Sequence, residues 1–136
     1  MVVAMALAVS VIGGCGTSVS SKVQAKVQQF AHAVATHDAK TLCTEVFAPA
    51  LVDHFVAAGI PCERAMQIYL RTVHDPTLAV GRVVINGNKA EAITLSGAKH
   101  QIGALDAVEL VNTSNGWRVD GLGSPLLPGA AKKKKK

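Results

Sequence analysis

The sequence predicts an α+β fold, with N-terminal helices packed on an antiparallel sheet of four to five strands. Three observations carry this. Apolar residues recur at helical spacing from Val23 to Val34. Two further apolar segments are bounded by Asp38, Pro49, Gly59 and Pro61. From Leu78 onward, Val- and Ile-rich runs are separated by turns at Asn86-Gly87-Asn88 and Thr113-Ser114-Asn115-Gly116. Helices first and strands after is the α+β order, whereas a parallel α/β sheet alternates the two.

In the first helix Val23, Val27, Phe30 and Val34 step by four, three and four, which places them on one face. Ser20 or Ser21 can cap it, and it should stop near Thr36-His37. Asp38 is an N-cap for the next segment, with Leu42, Cys43, Val46 and Phe47 facing inward. Pro49 can open a further turn, because a proline at the first helical position loses no needed N–H. Leu51, Val52, Phe55 and Val56 continue an apolar face until Gly59 ends it. Pro61 opens a third segment through Thr72, expected to bury Ala65, Met66, Tyr69 and Leu70, and His74-Asp75-Pro76 breaks it.

The strands are read as Leu78 to Ile85, Lys89 to Leu95, Asp106 to Asn112 and Trp117 to Gly121, with a fifth at His100 to Ile102. Trp117 and Val119 should face the helices, and Arg118 and Asp120 the solvent.

A chain of 136 residues has room for one domain with a real core. Aromatics are only 4%, so that core is built from small aliphatic side chains. The net charge of +5 comes from one place: without Lys132, Lys133, Lys134, Lys135 and Lys136 there are nine basic against nine acidic residues. A nucleic-acid-binding face needs clustered Lys and Arg on a folded surface, so no nucleic acid partner is expected. The glycines are spaced like turns, not a phosphate cradle, and no motif calls for a cofactor or a metal.

Val2 to Ile12 is apolar or small throughout apart from Ser10, which is too short for a bilayer span and fits the core of an export signal. It ends in Gly13-Gly14-Cys15, followed by the polar spacer Gly16 to Ser21. A small pair directly before a cysteine resembles a bacterial lipoprotein signal, although no Lys or Arg precedes the apolar run. That resemblance implies cleavage before Cys15, acylation of Cys15, and an anchor on the extracytoplasmic face of the cell membrane. The division expected is a signal over 1–14, a tether over 15–21, a domain over 22–124 and a Lys-rich, disordered tail over 125–136.

Exported chains meet oxidising conditions, and with Cys15 acylated, Cys43 and Cys62 remain to pair. The alternative is two buried free thiols.

A long helix, an Asp-capped break, a Cys pair across the helical half, an Asn-Gly hairpin and the terminal strand Gly116-Trp117-Arg118-Val119 follow one another in that order. Together they resemble the nuclear transport factor 2-like (SnoaL-like) superfamily, and within it exported, lipid-anchored actinobacterial members. The likeness covers Ser21 to Leu122. It implies a cone-shaped domain whose curved sheet wraps the helices around a pocket. The superfamily includes isomerase-, dehydratase- and cyclase-like enzymes and many members without catalysis.

His37-Asp38, Asp53-His54 and His74-Asp75 invite an acid–base reading, but adjacent residues do not face one another on a helix. The first and last flank helix breaks, where capping and solvation explain them. Asp53, His54 and Tyr69 are the residues to inspect first in a pocket, and a solvated helix face explains the first two equally well. Asp106 and His100 could fill the same roles in principle. No stretch matches a catalytic motif residue by residue, so no catalytic residue is assigned.

Three functions remain. The first is a membrane-anchored, non-catalytic domain that binds a small ligand or a protein. The second is a pocket enzyme working by proton transfer, and the third a structural homodimer through the open sheet face. The five terminal lysines are either a solvated end or a contact with anionic lipid or wall polymer.

Overall fold

The structure, a computed structural model, describes residues 18–123. The expected leader, Cys15 and the five terminal lysines lie outside the described residues. Helix α1 spans Val19–Ala35, α2 Ala39–Thr41, α3 Pro49–Ala57 and α4 Cys62–Leu70, and a π-helical turn, Leu42–Val46, continues α2. Strands β1 (Thr77–Asn86), β2 (Lys89–Gly97), β3 (Ala104–Thr113) and β4 (Gly116–Gly123) form one antiparallel sheet in the order β1-β2-β3-β4.

Helix α1 begins earlier than expected. Ser18 is its N-cap, accepting a hydrogen bond from the Ser21 N–H at 3.1 Å, so Ser20 and Ser21 lie in the first turn. Val23 and Val27 are fully buried on the predicted face. The helix ends in a Schellman motif: the His37 N–H reaches the Val34 carbonyl (3.2 Å) and the Asp38 N–H the Ala33 carbonyl (2.8 Å). Asp38 caps α2 as predicted, its carboxylate accepting from the Thr41 N–H at 2.9 Å. That bond, together with the Thr41 hydroxyl, holds the Asp38 carboxyl below its usual pKa, with Lys40 and His32 adding to it.

A π-helical turn stands here where the apolar spacing predicts an α-helix. Its signature is the Phe47 N–H bonded to the Leu42 carbonyl five residues back, at 2.8 Å. The extra residue keeps Leu42 and Val46 fully buried and releases Phe47 into extended backbone, φ −76 and ψ 144. There Phe47 makes a parallel bridge to Val119, and the Ala48 N–H donates to the Val119 carbonyl at 2.7 Å. Two cations close the end of the turn. Lys26 Nζ donates to the Glu45 carbonyl at 3.1 Å, and an Arg118 guanidinium N–H to the Thr44 carbonyl at 2.9 Å. Positive charge belongs at the carbonyl end of a helix. Lys26 also meets Gln29 at 2.6 Å; partial burial, with Arg118 nearby, lowers its pKa, and Glu45 partly offsets this.

Cys43 of the π turn and Cys62 at the start of α4 are disulfide-bonded, with Cα atoms 6.0 Å apart. Helix α3 starts at Pro49 and ends in a second Schellman motif around Gly59. Its Phe55 ring stacks on Phe47, centroids 6.4 Å apart, but Val56 is 63% exposed and not on the apolar face as expected. Helix α4 is shorter than expected, and of its predicted inward residues only Leu70 is fully buried. Tyr69 is 51% exposed, one helical step round from Leu70.

In the sheet, Ala90, Ala92 and Thr94 of β2 alternate inward and pair across with Leu110, Val108 and Asp106 of β3. Trp117 and Val119 are buried on the same face, as predicted. Register slips between Val80 and Val83 and at Glu109/Leu110, opposite Asp120, add bulges that bend the strands. The sheet has four strands. His100 to Ile102 is a loop, because His100 takes a left-handed φ of 65° that stops strand pairing. Among the described residues no helix is long and apolar enough to cross a membrane.

Candidate functional site

A cavity of about 350 Å³ opens between α1, the α4–β1 connection and one end of the inner sheet face. Phe30 and Val34 of α1 form one wall, Val73 and Pro76 of the connection another. Thr94, Ser96, Asp106 and Val108 form its floor, because β2 and β3 turn alternate residues inward. Tyr69, Ile102 and Leu122 also line it, and all three are substantially exposed, so they mark its mouth.

Asp106 is the one carboxylate in this lining. It sits partly buried on β3, in register with Thr94, and accepts a hydrogen bond from the Ser96 hydroxyl. The Thr94 hydroxyl, fully buried, donates to the Asp106 main-chain carbonyl at 3.4 Å. The floor therefore carries a short polar row, and Thr77, Gln101 and Tyr69 add polar groups to walls that are mostly apolar. Such a surface can remove apolar area from water while its carboxylate accepts a hydrogen bond.

Of the residues singled out in the sequence, Tyr69 reaches the cavity and Asp53 and His54 do not. Both are exposed on α3, because that helix turns Leu51, Val52 and Phe55 to the core and leaves the next two positions on the outer arc. Asp106 carries a sequence signal in its parity: it precedes Val108 and Leu110 at strand spacing and so shares their inward face. His37, His74 and His100 gather in a neighbouring cleft. Among the described residues no group of three His, Cys, Asp or Glu side chains could hold a metal ion.

Comparison with solved structures gives the fold. A nuclear transport factor 2-like protein of unknown function from Silicibacter pomeroyi superposes with a TM-score of 0.55 at 13% identity, covering 76% of this chain and 91% of that one. Another of unknown function, from Shewanella baltica, does so with a TM-score of 0.56 at 15% identity, covering 76% and 89%. The chain thus has the cone-shaped nuclear transport factor 2-like fold, four helices against an open four-stranded antiparallel sheet. No family model and no curated protein matches the sequence.

Proposed function

We propose that the chain is an exported lipoprotein, anchored through acylated Cys15 at the extracytoplasmic face of the cell membrane, whose domain binds a small apolar ligand without catalysis. The observation that carries the binding reading is the lining of the cavity: mostly apolar walls with the single carboxylate of Asp106, already engaged by Ser96. Isomerase-, dehydratase- or cyclase-type chemistry by proton transfer asks for a second titrating group working with the first. The other titratable side chain of the cavity, Tyr69, is half exposed at its mouth, and the hydrogen-bond partner of Asp106 is a serine hydroxyl, which favours binding over turnover. The anchor rests on Gly13-Gly14-Cys15 behind an apolar run, and Lys132 to Lys136 add a second, electrostatic contact with anionic lipid.

Titration with the neutral dye Nile red tests the cavity. Saturable fluorescence enhancement is expected, and Ala31→Phe, which fills the cavity from α1, should remove it. Equal enhancement by the filled variant would sink the reading. Mass spectrometry of the membrane fraction tests the anchor, and an unmodified Cys15 with its leader attached would refute it.

A further inference from the structure

Beside the apolar cavity lies a second cleft, and three of the five histidines of the chain line it. His37 follows α1, His74 lies in the α4–β1 connection, and His100 lies in the β2–β3 connection with Lys99. The three come from distant parts of the sequence. The His37 imidazole Nε2 lies 3.1 Å from the Val73 carbonyl, and the Lys99 N–H donates to the His74 carbonyl at 2.8 Å. These contacts tie the three segments into one rim.

The backbone here is unusual. The described residues other than glycine with positive φ are His37 (56°), Asp75 (46°) and His100 (65°), and all three line this cleft. The φ of His37 belongs to the motif that ends α1, and aspartate and histidine enter the left-handed region more readily than most residues. The cleft and the apolar cavity share Val73 and Pro76.

We infer that the two recesses together take one anionic amphiphile, its apolar part in the cavity and its anionic head, a carboxylate, phosphate or sulfonate, against His37, His74, Lys99 and His100. This rests on the apolar-cavity reading above and names the class of ligand. The titratable and charged groups lining the cleft are His37, His74, Asp75, Lys99 and His100; those of the adjoining cavity are Asp106 and Tyr69. Imidazole N–H groups and the Lys99 ammonium are donors from which an anionic head accepts hydrogen bonds.

Calorimetry on the full chain with decanesulfonate tests the inference against 1-decanol and methanesulfonate. Decanesulfonate should bind on the order of tenfold tighter than 1-decanol, the size of one or two exposed charge contacts. The double variant His74→Gln with His100→Asn should lose most of that preference while still binding decanol, which also shows that it is folded. Asparagine tolerates the left-handed backbone of position 100. If decanesulfonate binds no tighter than decanol, the anionic head is wrong and the apolar cavity stands. If methanesulfonate binds as tightly as decanesulfonate, the cleft is an anion site unconnected with the cavity and the inference fails. Binding of none of the three overturns both readings.

Discussion

His37 and Gly59 hold the same position in two copies of one helix-ending motif. Each is the first residue past the cap, at φ 56° and 84°, and in each case its own N–H and that of the following residue return to the closing turn of the helix. Glycine is the usual occupant because it has no Cβ to clash in the left-handed region. At position 37 a histidine stands there instead, and its ring reaches the Val73 carbonyl.

That equivalence predicts two mutational results. Gly59→Ala should cost about 1 kcal/mol. A Cβ at position 59 meets nothing within 4 Å, so the loss is conformational rather than steric. At position 37 both His37→Ala and His37→Gly lose the contact with Val73, but only glycine relieves the backbone. His37→Gly should be more stable than His37→Ala by about 1 kcal/mol. Urea midpoints of the three variants check both statements.

The disulfide closes a loop between positions 19 residues apart. On the chain-entropy model, Cys43→Ala with Cys62→Ala should lower stability by about 3 kcal/mol. Equal urea midpoints for the double variant and the oxidised parent would contradict this.

Asp38 gives the acid limb of the stability curve a defined contribution. Hydrogen bonds from Thr41 depress its folded pKa below the unfolded value of 3.8. The unfolded chain therefore takes up the proton first as pH falls. The contribution is present above about pH 4 and disappears as pH drops through the depressed folded value. Asp38→Asn keeps the cap but has no proton to bind. Its stability should change less with pH below 4 than that of the parent, as acid-dependent thermal melts will show.

The two faces of the sheet predict opposite sensitivities. Leu110, 2% exposed, packs toward the helices, while Leu95, 56% exposed, lies on the outer face opposite Leu105. Leu110→Ala should cost about 2–5 kcal/mol by leaving a cavity. Leu95→Ala should stay within about 0.5 kcal/mol. Similar losses at both sites would mean that the outer face is covered.

What could be read from the sequence was local. Asp38, Pro49, Gly59 and the Asn-Gly turn at Gly87 act through their own backbone, so their effects were visible where they stand. The π turn was hidden because Leu42 and Val46 are four apart, a spacing an α-helix also satisfies; only the pairing of Phe47 with Val119 shows why one more residue is wound in. Asp53-His54 drew attention by adjacency, yet adjacency on a helix points two side chains apart. The floor of the cavity depends on the register of β2 with β3, and the histidine cleft on three connections meeting. Both are tertiary facts that no single stretch encodes.

The bridge between Phe47 and Val119 has a consequence for how the chain assembles. Every strand pairs with its neighbour in sequence, so the sheet can zip hairpin by hairpin from short-range encounters. The disulfide joins only helical segments to one another. The carbonyl of Val119 that receives the Ala48 N–H belongs to β4, the last of the described strands in chain order, and Arg118 beside it closes the π turn. On a ribosome, the backbone just beyond that turn waits for β4 to emerge before its partner exists, so nascent chains halted before Gly116 should be digested by protease near Phe47 and chains released after Gly123 should not.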